Sequence, residues 1–370
     1  MLVGVPKEIK TREYRVGLTP SGVREIVSAG HKVIVQRDAG SAIGLSDDLY
    51  KKAGADLISD AKDIFARAEM IVKVKEPQLS ECQMLHQGQV IFTYLHLAPD
   101  PDQAEQLIKS KATCIAYETV TDNDGGLPLL APMSEVAGRM AAQEGARCLE
   151  KTNGGSGVLL GGVPGVTPGK VVVIGGGVVG LNAARIALGM GADVTILDRS
   201  LSRLRYIDEV FCGRIKTLFS TLDAIEHQLI DADLVIGAVL IPGAAAPRLV
   251  TRNMLSVMKP GSALVDVAID QGGCFETSKP TTHDDPIYMV DGIVHYCVAN
   301  MPGGVAKTAT YALTNATLPY VSLLAEKGYL AAITLNQHLQ SGLNIHHGHV
   351  THPAVAAALG YEYVPASRVM

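Results

Sequence analysis

Short β-branched, apolar runs recur along the first third of the chain, separated by longer and more polar stretches of helical character. That alternation predicts a parallel sheet flanked by helices. Strands are expected at Leu2–Val5, Lys32–Gln36, Met70–Val74, Val90–Tyr94 and Thr113–Tyr117. The run DNDGGLPLLAP, from Asp122 to Pro132, then breaks the pattern with turn residues and prolines, as a border between folding units does. Residues 133–152, rich in Ala, Glu, Met and Arg, predict one long helix with Ser134 near its N-cap.

Beyond a glycine-rich loop at residues 154–169, six further strands are expected: Val171–Ile174, Asp193–Leu197, Ile215–Phe219, Leu234–Gly237, Ala263–Val267 and Val294–Val298. Six strands with helical segments between them match a doubly wound nucleotide-binding fold. The helix-like stretch after Pro302 is too short to bury a core alone and is assigned back to the first unit. The expected architecture is therefore α/β with two doubly wound domains. A Rossmann domain, residues 131–306, is inserted into a discontinuous α/β substrate domain made of residues 1–130 and 307–370.

The length of 370 residues suits two domains, and 47% apolar with 19% charged residues is the profile of a folded globular protein. A net charge of -5 without any basic block argues against nucleic acid or an acidic membrane surface as partner and favours a small molecule. The six cysteines form no C-x-x-C pair, so no metal site is expected, and they read as reduced thiols of a cytoplasmic protein. The first fifteen residues lack the apolar segment of a signal peptide, and the most apolar stretch is interrupted by glycine, proline, Lys170 and Arg185, so no membrane span is expected.

Candidate chemistry starts at KVVVIGGGVVG, where Gly175-x-Gly177-x-x-Gly180 follows a strand and opens a helix. Gly175 permits the tight turn, Gly177 lets backbone approach a pyrophosphate, and Gly180 lets helix and strand pack closely. At the end of the next strand Asp198 is placed to accept hydrogen bonds from the ribose hydroxyls of NAD and to repel a 2′-phosphate. Arg199 would offset that repulsion and opens the question of NADP use.

Ligands of open α/β sheets lie beyond the C-terminal strand ends, and four polar residues fall there: Lys75, His96, Asp270 and Asn300. Hydride chemistry on a small polar substrate needs a cation for a carboxylate, a donor for a carbonyl oxygen and an acid/base. Arg15 or Arg12 suits the first role through a bidentate fork, Lys75 the second, and His96 the third. Asp266 competes with Asp270 as the second acid/base. The residues alone lead as far as an NAD-dependent dehydrogenase of a small polar substrate.

VGVPKEIKTREYRVGLTP, VKVKEP, FTYLHLAPD, AYETV, LPLLAPMSEVAGRMA, GGVPGV, LVIGAVLIPGAAAPRLV, VDVAIDQGGCFE and YCVANMPGGVAKTATYALTNATLPY run through nearly the whole chain. Together they resemble the alanine dehydrogenase family, which shares its fold with the N-terminal component of nicotinamide nucleotide transhydrogenase. The resemblance implies reversible oxidative deamination of L-alanine to pyruvate and ammonia, through imine and carbinolamine intermediates, in a cytoplasmic homohexamer. It implies His96 and Asp270 as acid/base residues and Arg15, Lys75, Met133 and Asn300 as substrate contacts. For NAD it implies Ser134, Val178, Val179, Asp198, Arg203, Ser220, Val239 and Leu240, together with Val267, Ala268, Ile269 and Asp270, and Val298, Ala299, Asn300 and Met301. Arg203 stands where the family frequently has lysine, and the pair Asp198–Arg199 is less usual than an acid followed by an apolar or amide residue. Rivals are another amino-acid or opine dehydrogenase, which needs a larger pocket, and a silent NAD-binding subunit, which has no need of Lys75, His96 and Asp270.

Overall fold

The computed structural model describes residues 1–239 and 246–370. The chain divides into two units, one made of Met1–Pro132 and Val305–Met370, the other of Met133–Gly304. The first opens with β1 (Leu2–Val5), β2 (Lys32–Gln36), β3 (Asp56–Ile58), β4 (Met70–Val72), β5 (Val90–Thr93) and β6 (Thr113–Ala116). The second contains β7 (Lys170–Ile174), β8 (Asp193–Asp198), β9 (Lys216–Phe219), β10 (Leu234–Gly237), β11 (Ala263–Asp266), β12 (Ile287–Val290) and β13 (Ile293–Tyr296). The chain then returns to the first unit with β14 (Leu343–His346) and β15 (His349–Val350).

In the first unit the strand order is β3-β2-β1-β4-β5-β6-β14-β15, with β1 to β6 parallel and the last two strands antiparallel. In the second it is β9-β8-β7-β10-β11-β13-β12, parallel except for the β12–β13 hairpin. Both orders reverse beside their first strand, between β1 and β4 and between β7 and β10. An open sheet leaves a crevice at such a reversal, outside the C-terminal strand ends.

The central strands are uninterrupted apolar runs because helices cover both faces of a parallel sheet. VIFT in β5, TCIA in β6 and LVIG in β10 are buried at every position. Helix starts follow capping chemistry: Thr19 Oγ1 accepts from Gly22 N at 3.3 Å ahead of the helix Pro20–Ser28, with Pro20 where a missing N–H costs nothing. That helix packs against Ala306–Lys327, which belongs to the returning part of the chain.

Several expectations need adjustment, and β3, β14 and β15 are strands beyond those expected. The strand expected at Met70–Val74 ends at Val72, although Lys73 N still bonds Phe92 O at 3.2 Å and Tyr94 N bonds Val74 O at 3.3 Å, and the Lys73 ammonium enters an acidic cluster. The long helix spans Ala131–Cys148, so Ser134 lies in its first turn and does not cap it. Asp291 and Gly292, both at positive φ, form a two-residue hairpin turn that adds β12 to the expected six strands.

Candidate active site

In the first unit the candidate side chains stand just past the C-terminal ends of β1, β4 and β5, at and beside the strand-order reversal. Arg15 is buried, and its guanidinium grips Glu13 side-on, Nε to Oε1 at 2.6 Å and Nη2 to Oε2 at 2.5 Å. Burial works against the Arg15 charge, and Glu13 more than restores it. Of the two arginines considered, Arg12 is the exposed one and reaches toward Tyr14.

Lys75 follows β4 and is largely buried, with Nζ 3.8 Å from Glu76 Oε2. Its main chain is fixed on both sides: its N–H donates to Glu8 Oε1 at 3.3 Å, and its carbonyl accepts from Thr93 Oγ1 at 2.9 Å. Glu8 belongs to a fully enclosed triad. Lys73 Nζ lies 2.9 Å from Glu8 Oε2 and 2.8 Å from Glu81 Oε1, while Glu8 Oε1 also accepts from Val74 N at 2.7 Å. Burial alone would drive Lys73 toward neutrality, but the two carboxylates override it and raise its pKa; burial pushes the Glu8 carboxyl up. The triad anchors the main chain that carries Lys75.

His96 follows β5 in the left-handed backbone region, φ 48°, which a non-glycine residue adopts only when its surroundings enforce it. Here the enforcing group is Glu118, whose carboxylate accepts from Leu95 N at 3.2 Å and His96 N at 2.7 Å. The same carboxylate lies 4.0 Å from His96 Nδ1. The imidazole stacks on the Tyr94 ring at 5.6 Å, with planes 10° apart, and the Tyr94 hydroxyl donates to Leu129 O at 2.6 Å. Tyr94 is also an electrostatic neighbour of Arg15, as Glu8 is, so Arg15, Lys75 and His96 are joined through shared partners.

In the second unit the glycine loop follows β7. A Cβ on Gly180 would lie 1.8 Å from Gly175 O, and Gly175 itself has φ +101°. A Cβ on Gly177 would meet no protein atom within 4 Å, so the chain borders open space at the start of the helix Val178–Gly189. That is a cradle a pyrophosphate fits. Asp198 ends β8, its Oδ2 accepting from Gly176 N and its Oδ1 from Ser200 N, both at 2.7 Å. Arg203 returns to the same loop, Nε donating to Gly176 O, and Ser220 N bonds Asp198 O at 3.0 Å. Val178 is exposed, and Val179, Val239 and Ser134 are partly exposed or nearly so. Leu240 lies outside the described residues.

Asp270 is exposed in the 3-10 turn Val267–Gln271 after β11, and its Oδ1 accepts from Asn300 N at 3.4 Å. Asn300, like His96, has positive φ, 57°. The turn also contains Ala268 and Ile269, and Val298, Ala299 and Met301 flank Asn300, with Met133 and Met301 buried. Asp266 is completely buried and engaged by main-chain donors, which leaves Asp270 as the accessible acid of the two.

Models of the "alanine dehydrogenase/PNT" N-terminal and C-terminal domains match residues 4–137 and 141–353. The chain belongs to this family. It is 62% identical over 370 residues to an alanine dehydrogenase of Halomonas elongata, covering 100% of both chains. An alanine dehydrogenase of Bacillus subtilis is 56% identical over 371 residues, covering 100% of this chain and 98% of its own. A solved L-alanine dehydrogenase superposes with a TM-score of 0.94 at 52% identity, covering 97% and 99% of the two chains. A transhydrogenase structure from Sinorhizobium meliloti gives 0.82 at 25% identity, covering 96% and 100%.

As a member of the alanine dehydrogenase/PNT family the chain is an enzyme, an oxidoreductase with a Rossmann-like domain. Among the described residues no helix is long and apolar enough to cross a membrane. The sequence reading missed the acids that support its candidates: Glu13 on Arg15, Glu118 on His96, and Glu8, which with Glu81 and Lys73 anchors the main chain of Lys75. Glu8 and Glu13 do lie inside the run VGVPKEIKTREYRVGLTP and Glu118 inside AYETV, but nothing in their spacing tells which strand end each would reach.

Proposed function

We propose that the protein catalyses NAD-dependent, reversible oxidative deamination of L-alanine to pyruvate and ammonia. The observation that carries this reading is the cluster Arg15, Lys75 and His96 at strand ends of one sheet, two cations and an imidazole, with Glu13 on the Arg15 guanidinium, Glu8 on the Lys75 main chain and Glu118 on the His96 main chain. Arg15 takes the substrate carboxylate. His96 takes a proton from the alanine ammonium, leaving the amine lone pair to form the C=N bond as hydride leaves Cα. NAD, when bound at the glycine loop, supplies the acceptor for that hydride. Water adds to the resulting imine with His96 and Asp270 moving its protons. Lys75 stabilises the oxygen charge of the carbinolamine as ammonia departs and pyruvate forms. Met133 and Asn300 line the substrate.

On the cofactor side, Asp198 takes the adenosine ribose and Gly175, Gly177 and Gly180 admit the pyrophosphate, with Val178, Val179, Arg203, Ser220, Val239, Leu240, Ser134 and the turns 267–270 and 298–301 around the dinucleotide. The assembly is proposed to be a cytoplasmic homohexamer. The test is NADH absorbance with a panel of amino acids, run with NAD and with NADP. Alanine with NAD is expected to be the best pair; a larger amino acid turning over faster than alanine would end this reading.

Gly180→Ala checks the cofactor site separately. Its new methyl group falls on Gly175 O, so we expect a stability loss of about 1–3 kcal/mol from overpacking. NADH affinity is expected to fall at least about tenfold, roughly 1.4 kcal/mol. Thermal melts and NADH fluorescence titration read the two effects, and unchanged affinity would argue against the glycine loop as the pyrophosphate site.

A further inference from the structure

We propose that Asp266 is a positioning residue whose buried carboxylate shapes the turn Val267–Gln271 and thereby sets where Asp270 stands. The inference rests on the role given to Asp270 above. Asp266 is fully buried at the C-terminal end of β11, and its two oxygens face different parts of the chain. Oδ1 accepts from Ala268 N at 3.1 Å, inside the turn, and from Cys274 Sγ at 3.5 Å. Oδ2 accepts from Cys274 N at 2.9 Å, Phe275 N at 3.2 Å and Ser278 Oγ at 2.5 Å, on the segment that follows.

All of these donors are neutral. A buried carboxylate held by main-chain N–H groups without a cation is costly to maintain as a mere stabiliser, because an apolar side chain would avoid its desolvation. What it supplies is a fixed distance between the turn and the following segment. Gly273, at φ +81°, comes so close that a Cβ there would sit 2.6 Å from Oδ2. The turn is closed by Gly272 N to Ile269 O at 2.9 Å and Gly273 N to Ala268 O at 3.0 Å, with Asp270 projecting from it toward Asn300 N.

Asp266→Asn separates this role from general stability. An asparagine keeps its carbonyl oxygen where Oδ2 meets three donors and turns its NH2 group toward Ala268 N, so the bond to the turn and the weak thiol bond from Cys274 Sγ are lost while the three to Oδ2 remain. We expect kcat for alanine oxidation to fall at least about tenfold, more than KM for NAD rises, because the adenosine contacts through Asp198 are untouched and only those of the turn itself are disturbed. Amide hydrogen exchange over residues 267–271 should speed up, with residues 274–278 unchanged. Ser278→Ala removes one donor from the other oxygen and should lower Tm without lowering kcat more than about twofold.

Unchanged exchange over 267–271 in Asp266→Asn, or a Ser278→Ala variant that matches its kcat loss, would overturn the assignment. If the asparagine variant does not fold, exchange of the Ala268 amide in the parent protein decides: protection is expected, and exchange at the rate of an open turn refutes it. Exchange needs no substrate, so a parent enzyme inactive on every amino acid would sink the functional reading while this one is still decided.

Discussion

His96→Ala is expected to reduce alanine turnover by at least about 100-fold, since a positioned general acid/base contributes roughly 10²–10⁴-fold. NADH affinity should change little, because the glycine loop and Asp198 belong to the second unit and make no use of the imidazole. The variant should also fold well. The His96 side chain is 43% exposed, and what it loses is one stacking contact with Tyr94 and a 4.0 Å approach to the Glu118 carboxylate. The main-chain bonds from Leu95 and His96 to Glu118 survive the substitution, although alanine must then adopt the left-handed backbone that histidine holds now. Steady-state kinetics with alanine, paired with NADH titration, gives the answer. Near-normal turnover would remove His96 from the mechanism.

Lys73→Met is expected to have the largest effect on stability. It leaves Glu8 and Glu81 buried beside each other without their cation, and breaking a buried ion pair by removing one partner costs about 3–5 kcal/mol. The loss should depend on pH. Burial already raises Glu8 above its ordinary 4.5, and removing Lys73 takes away the charge that pulls it back down. The folded protein then binds that proton more tightly than the unfolded chain, so stability falls as pH rises from 4.5 through the raised value. Thermal melts should show the variant closer to the parent at about pH 5 than at about pH 8. An equal deficit at both would mean that the carboxylates are not what the lysine neutralises.

The features most legible in the sequence were those carried by local rules. The central strands of both sheets were readable because strands buried on two faces leave continuous apolar runs, and the glycine loop because each of its glycines answers a steric demand that the structure shows at Gly175 and Gly180. β12 was within reach, since IYMVDGIVHY sets two apolar runs around an Asp-Gly turn. β14 and β15 were not: His347 and Gly348 make a similar turn with both φ positive, but His-Gly is no strong hairpin signal, and β15 is only two residues long.

At the candidate site the reactive side chains announced themselves by standing after strands, and their supports did not. Glu118 reaches His96 across 22 residues and Glu8 reaches Lys73 across 65, pairings that depend on which strands are neighbours. A charged residue that ends up enclosed looks, in one dimension, like any solvated one. Lys73 is the plainest case: nothing in the strand expected at Met70–Val74 marks it as enclosed, yet it is wholly buried and keeps its charge through Glu81, eight residues on, and Glu8, 65 residues back.

The two sheets share one wiring, first strand beside fourth, and in the proposed function each takes a negatively charged guest at that same spot. One does it with peptide groups, the other with a guanidinium and an ammonium on long stems. Peptide groups are common to every residue, so recognition built from them drifts little as side chains change, provided the glycines persist. Recognition built from stems can be retuned by a single codon. Divergence among descendants of such a scaffold should therefore concentrate in what the first sheet selects, with the nucleotide held by the second remaining the constant.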